Sequence, residues 1–318
     1  MGAPTTARPT AGSVGATISA TIAMASVGSS VAVSEQLVDY PVLSAQAFRY
    51  AIGSLALAAW FRVQGIALPR PRTNELGRLV LLAATGLAGF NVCVLLALRT
   101  TEPAAVGVVV GCVPLVLAVV EPLRRGLRPA RRTVIAALVV VVGAAVVQGG
   151  GRSTTAGILL ALGALAAEAA FTLLAVPLLP RLRPSGVSLL SCAAAAVLLA
   201  VLAPIFDGSA AFTAPSADEF TAIAYLALVV TAFAFVLWYH GVQHLGADRA
   251  GLLAGLVPVS ALLTSLVLGS AEGLATGGAG TAIVVVGLTI GLAPTRQTRQ
   301  TPQIGVESHE NKVEGPCS

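Results

Sequence analysis

Apolar residues come in long runs along this chain, and the polar ones sit mostly between the runs. Ten runs stand out, near 13–34, 42–62, 79–98, 103–123, 133–150, 156–178, 186–206, 219–240, 250–270 and 277–293. Each holds roughly 16–23 residues, enough at ~1.5 Å per residue to cross about 30 Å of hydrocarbon. Helices are predicted throughout, because inside a bilayer a segment without neighbours can pair its backbone N–H and C=O groups only with itself. Proline marks most of the breaks, at Pro41, Pro69, Pro71, Pro129, Pro184, Pro215 and Pro294. The first run is rich in Ser, Thr, Gly and Ala, has only Arg8 ahead of it and lacks a short, strongly apolar centre. It reads as a first span and not as a cleaved signal. Residues 1–12 form a short leading segment, and the polar 295–318 a disordered tail.

The runs repeat. Gly107, Gly111 and Pro114 make a GxxxGxxP pattern that returns as Gly251, Gly255 and Pro258, an offset of 144. The same offset carries Val140–Gly143 onto Val284–Gly287 without a gap. Two copies follow, 13–150 and 151–294, each of five predicted helices. Their connecting loops differ in charge. Arg124, Arg125, Arg128, Arg131 and Arg132 have Leu268, Gly269, Glu272, Ala275 and Thr276 as counterparts. Since Lys and Arg collect on the cytoplasmic side, equivalent loops belong on opposite sides of the membrane. An N-in, C-in arrangement places Arg8, Arg62, Arg70, Arg72, Arg78, those five arginines, Arg181, Arg183, Arg249, Arg296, Arg299 and Lys312 inside. Only Arg99 and Arg152 remain outside, and Arg49 within a span. The reading is an all-α polytopic membrane protein of ten spans in two inverted repeats, an organisation common among secondary transporters.

Composition agrees, at 56% hydrophobic and 10% charged residues against about a quarter charged in soluble domains. The net charge of +5 sits in short loops beside the runs, which favours membrane orientation over any nucleic-acid partner. Cys93, Cys112, Cys192 and Cys317 show no CxxC spacing, so neither a disulfide framework nor a zinc site is implied. There is no GxxxxGK[ST], no GxSxG and no HExxH, which argues against ATP-driven transport within this chain, against hydrolysis, and for no cofactor.

Polar groups at depth are the candidate chemistry, because an ionised side chain at the bilayer centre costs roughly 2.5–3.5 kcal/mol on insertion scales. Arg49 lies about 10 Å below the outer end of the second run, with Gln46 one turn away on the same face. Asn91 lies well inside the third run and Glu168 near the middle of the sixth. Under the 144 offset Arg49 meets Ala193 and Glu168 meets Met24, so these groups break the repeat, as a substrate without two-fold symmetry requires. Arg49 suits a carboxylate-bearing substrate, and Glu168 an amine or a proton. The competing reading has the two neutralise each other, or Arg49 snorkel outward. The two GxxxGxxP elements suit gating, since proline frees a carbonyl and bends the helix, and static close packing equally well. Ser19, Ser26 and Ser30 share one face, where packing is favoured over a cavity wall. His240, His244 and Asp248 have a chelating spacing, but interfacial neighbours and Gly246 argue against a metal.

The stretch Thr231–Pro294 carries a family resemblance. Trp238, then Leu245-Gly246-Ala247 with Arg249, Pro258, Glu272, and Gly280 with Gly287 resemble the second half of EamA-type permeases of the drug/metabolite transporter superfamily. Ala97–Gly149 is a fainter version, and Phe48-Arg49 is similar to the family's second helix. Arg128 stands where the family often has a glutamate matching Glu272. The resemblance implies a permease of the cytoplasmic membrane with a central cavity lined by helices one to four and six to nine. It also suggests amino acids or related amphipathic metabolites as substrates, more in the sense of export. Helices five and ten, free of ionisable groups, are expected against lipid or a second copy in a homodimer. The alternatives are a multidrug cation–proton antiporter, disfavoured because Glu35 lies only at the first helix's end, and a non-transporting scaffold or receptor.

Overall fold

The computed structural model describes residues 11–67, 70–149, 152–267 and 274–293. Glu272, residues 1–10 and the tail from 294 onward lie outside the described residues. The helices are α1 (Ala11–Ser34), α2 (Val42–Val63), α3 (Thr73–Leu98), α4 (Pro103–Arg124), α5 (Arg131–Gln148), α6 (Thr155–Ala175), α7 (Leu179–Phe206), α8 (Ala217–Leu245), α9 (Ala247–Thr264, its helix continuing to Val267) and α10 (Leu274–Leu292). Among the described residues, eight of these, α2 to α9, are long and apolar enough to cross a membrane. There is no strand among the described residues.

Local chemistry sets the ends. Thr154 accepts a hydrogen bond from the Gly157 N–H at 3.0 Å to cap α6, and Ser216 with Glu219 forms a capping box on α8. Glu75 does the same service for α3, accepting from the Arg72 N–H at 2.7 Å. That is why α3 starts at Thr73, ahead of its apolar run: polar first turns extend the helix into the interface. The helix assigned from Leu179 is broken at Arg183, which takes a left-handed φ of 61°, so the span itself begins beyond it. Gly149 and Gly246, with φ of 73° and 85°, end α5 and α8 in conformations that only glycine adopts cheaply.

Two pairs of helices depart from regular α geometry at matched positions. In α3 the chain widens to a π-helical stretch over Ala83–Gly89, and in α8 over Leu226–Phe233, equivalent positions under the 144 offset. In α4 the helix stops at Val110 and restarts at Val113, and in α9 a 3₁₀ turn over Leu253–Gly255 divides it at the equivalent place. Pro114 and Pro258 follow these two breaks directly. Each proline lacks the N–H that would close the preceding turn, so the interruption is local chemistry.

Helices α5 and α10 pack along each other through glycine. A Cβ on Gly143 would stand 2.7 Å from the Val284 nitrogen, and one on Gly287 would stand 2.9 Å from the Val140 nitrogen. These contacts are exchanged by the offset, since Gly143 and Val140 become Gly287 and Val284. A Cβ on Gly280 would meet the Val147 nitrogen at 2.6 Å, so the register runs backwards and the helices are antiparallel. Reciprocal contacts between antiparallel copies are what a pseudo-two-fold axis between them produces.

The two ends of the bundle differ. At the end that carries Arg124, Arg125 and Gly246, α4 packs on α9 where a Cβ on Gly251 would stand 2.8 Å from the Leu117 side chain. There α6 also meets α8, through a hydrogen bond of 3.2 Å from the Trp238 indole N–H to the Thr172 hydroxyl. At the opposite end the halves of α4 and α9 part. Pro103–Val110 packs on α5 and α6, whereas Leu256–Val267 packs on α1, α5 and α10. Separate clasps hold each side there. Asp207 accepts from the Ser44 N–H and hydroxyl at 2.9 and 3.0 Å, and Tyr40 donates to the Thr213 carbonyl at 2.9 Å. On the other side Arg152 Nε donates to Glu102 at 2.8 Å, and these hydrogen bonds hold the Glu102 carboxyl below the usual carboxylate range.

Candidate functional site

Arg49 lies on α2, partly buried, and faces the widened stretch of α8. Gly53, one turn further along, admits α8 closely: its Cβ position is 3.1 Å from the Ala227 carbonyl and 3.2 Å from the Thr231 methyl. This approach brings the Thr231 hydroxyl within 2.6 Å of Arg49 Nε. Gln46 Oε1 accepts from Nη1 at 3.3 Å, as the shared face predicted. The guanidinium carbon stands 5.5 Å from the Tyr50 ring centroid, a cation–π distance. Among the described residues no carboxylate lies within ion-pair distance of Arg49. Glu168 does not neutralise it.

Asn91 follows the widened stretch of α3. Its amide donates to the Leu87 carbonyl at 2.7 Å and reaches the Tyr50 hydroxyl at 3.4 Å. Tyr50 thus touches Arg49 through its ring and Asn91 through its hydroxyl. From Tyr50 a row of rings runs inward: Phe235 at 6.5 Å, then Phe171 at 4.8 Å from Phe235, then Tyr239 at 5.1 Å from Phe171. Gly86 in the widened stretch of α3 lets that helix press against the Phe171 backbone, 2.7 Å from its Cβ position. The row forms an apolar floor toward the arginine-rich end.

Glu168 is on α6, one turn before Phe171, and partly exposed. Both Tyr50 and Tyr239 are within its electrostatic reach. Among the described residues no hydrogen bond or ion pair engages it. From α7, Ser191 donates to the Ser188 carbonyl at 3.2 Å, while the buried Ser188 hydroxyl has no hydrogen-bond partner.

Several contributors escaped the sequence reading. Thr231 and Tyr50 are single polar tips inside apolar runs, and only the α2–α8 approach gives them meaning. Glu121 is 3% exposed near the end of α4, paired at 2.7 Å with Arg125, and its i, i+4 spacing to that arginine was the available signal. Beside it Arg124 Nη1 donates to the Leu173 carbonyl of α6 at 2.7 Å, joining two helices below the ring row.

The glycines of the repeated pattern are placed for packing. Gly107 makes room for the Gln148 side chain of α5, Gly251 for Leu117 of α4, and Gly255 for Val140 of α5; a Cβ on Gly111 would stand 3.5 Å from Gln148 Nε2. Ser26 and Ser30 bond back to carbonyls of α1 at 2.9 and 2.6 Å. The His240 and His244 rings lie 4.3 Å apart, tilted by 45°, and Gly246 ends their helix before Asp248. Two clefts lie elsewhere. An apolar one of about 220 Å³ separates α2 from α7 near Phe48 and Phe212, and one of about 510 Å³ opens at the arginine-rich end beside Gln243, His244 and Asp248.

Comparison with known proteins converges on one family. The model of the EamA-like transporter family matches twice, at residues 15–148 and 155–292. A curated relative, the uncharacterized transporter YetK of Bacillus subtilis (strain 168), is 26% identical over 263 residues, 80% of each chain. A solved crystal structure superposes with a TM-score of 0.77 at 21% identity, covering 87% of this chain and 97% of its own, a likeness of fold. With its two family matches spanning both copies, this integral membrane protein belongs to the EamA-like transporter family.

Proposed function

We propose that the protein is a permease that exports small amphipathic metabolites, amino acids among them, by alternating access across the cytoplasmic membrane. In this reading all ten helices cross the bilayer, N-in and C-in, and the arginine-rich end is cytoplasmic, in keeping with the retention of Arg on that side. One observation carries it: Arg49 stands within a span, held by Thr231, Gln46 and the Tyr50 ring, with no carboxylate partner among the described residues. A placed guanidinium without a counter-ion suits a substrate carboxylate, which it can engage in bidentate fashion. The ring row receives the apolar part of the substrate, and Asn91 adds a polar contact. Helices α4 and α9, broken at equivalent points and joined only at the arginine-rich end, suit a gate between two bundles.

The test is flux. Arg49→Ala in proteoliposomes is expected to lower counterflow of amino acids by at least about 100-fold, the equivalent of losing a charge-assisted pair of ~3 kcal/mol, at unchanged membrane abundance. Wild-type rates in that variant would remove Arg49 from the site.

A further inference from the structure

The cleft of about 510 Å³ at the arginine-rich end takes no part in the Arg49 site. It opens among the end of α6, the link into α7 and the α8–α9 junction, with Arg125 of α4 on its wall. In the proposed orientation it faces the cytoplasm. Buried Leu179 and Val242 give it an apolar floor. Val242 is one turn of α8 from Tyr239, the last ring of the row, so about 5 Å of helix separates the floor from the rings.

Two opposite charges converge in this cleft without meeting. A Cβ on Gly246 would stand 2.8 Å from Asp248 Oδ1 and 3.7 Å from Arg125 Nη2, so both groups border one small space. They form no ion pair with each other, and Glu121 explains why. That buried carboxylate accepts from Arg125 Nε at 2.8 Å and stands 2.7 Å from its Nη2, which holds the guanidinium back from Asp248. Arg124 lies 3.9 Å from the same carboxylate, so one anion serves two guanidiniums and the cluster stays cationic. Asp248 has no hydrogen-bonding or ion-pair partner among the described residues. Gly246 keeps the space open, since its φ of 85° disfavours any larger residue and a side chain there would fill the gap.

A first helical turn suits an aspartate by itself. It does not call for a half-exposed guanidinium brought to the same gap from another helix. The pair fits a small molecule whose own two charges stand one carbon apart. Its carboxylate would meet Arg125, its ammonium Asp248, and its apolar part the floor. A phosphate would gain Arg125 but face Asp248, and a simple amine the reverse.

We infer that this cleft is a cytoplasmic reception site, at which Arg125 and Asp248 take up an amino-acid-like zwitterion before α4 and α9 part. The inference rests on the export reading above and adds a second site to it, on the cytoplasmic side of the ring row.

The test reads binding at the cleft separately from flux. In the full chain with Cys93, Cys112, Cys192 and Cys317 replaced by alanine, Gln243→Cys places a thiol on the exposed wall of the cleft. The rate of maleimide labelling in detergent is followed with and without a mixture of the proteinogenic amino acids other than cysteine. The mixture is expected to slow labelling, and equally so in the Arg49→Ala background, where the site within the spans is impaired. Removing Arg125 would leave Glu121 short of its closest partner, so the charge is changed at Asp248 instead. Asp248→Asn, which keeps the shape, should raise the half-protecting concentration by about tenfold, the loss of one charge-assisted contact. Acetate and methylammonium, each with one of the two charges, should protect more weakly than the mixture.

Labelling indifferent to the mixture would overturn the inference. So would protection that is lost with Arg49→Ala, unchanged by Asp248→Asn, or matched by acetate or methylammonium alone. In each of those cases wild-type counterflow in proteoliposomes would leave the export reading standing. Protection in a chain without any wild-type counterflow would mean a ligand site that feeds no transport, and would sink the reception role together with that reading.

Discussion

Arg49 shows how one residue acquires meaning from what is placed around it. Its position in an apolar run was legible, and so was Gln46 on the same face. The Thr231 hydroxyl at 2.6 Å was not, because that contact depends on an α8 turn widened by one residue, for which the sequence carries no periodic signal. The contact yields a prediction. Thr231 engages Nε and Gln46 one N–H of Nη1, which in the proposed reading leaves the other N–H groups for substrate. Thr231→Val should therefore weaken apparent substrate affinity by about tenfold, in line with ~1.5 kcal/mol for a hydrogen bond to a charged group, without abolishing transport. Arg49→Lys should cost more, about 100-fold, since an ammonium cannot hold Thr231, Gln46 and a carboxylate in one plane. Concentration dependence of counterflow reads both. Equal affinities in wild type and Thr231→Val would mean that the hydroxyl does not position Arg49.

At the scale of helices, the spans and the duplication were readable because hydrophobic length and a fixed offset survive in the residues themselves. Bounds were less so: α3 and α8 run past their apolar stretches into capped, polar turns. The paired irregularities of α3 with α8 and of α4 with α9 were half legible, through Pro114 and Pro258 alone. Gly143 and Gly287 are the clearest element-level consequence of duplication. Each presses against the partner helix's backbone, so a larger side chain must push α5 from α10. Gly143→Val and Gly287→Val are each expected to destabilise the protein by about 1–3 kcal/mol, the usual cost of overpacking, and by similar amounts because the contacts are reciprocal. Gly15→Ala, where nothing lies within 4 Å of the added carbon, is the control expected to change little. Thermal unfolding in detergent measures all three. A much larger loss at one of the two glycines than at the other would contradict the reciprocal packing.

The whole molecule is asymmetric in a way that neither copy is alone. Inverted copies would close both ends equally, yet α4 and α9 meet only at the arginine-rich end, around Leu117 and Gly251. The proposed orientation makes that end cytoplasmic, so a membrane-impermeant maleimide on intact cells should label Ser209→Cys and spare Arg128→Cys. The reverse pattern would invert the topology. Alternating access then demands that Leu117 and Gly251 separate once per cycle. In a chain with Cys93, Cys112, Cys192 and Cys317 replaced by alanine, Leu117→Cys with Gly251→Cys should oxidise readily, because the two positions already touch. Oxidation is expected to lower counterflow to background, and reductant to restore it, while either single cysteine leaves it unaffected by oxidant. A cysteine pair across Gly28 and Ser260, which joins α1 to α9 within one side, is expected to tolerate oxidation. Undiminished flux through a fully cross-linked 117–251 pair would show that this contact is part of the rigid frame, and the gate would have to be sought between other helices.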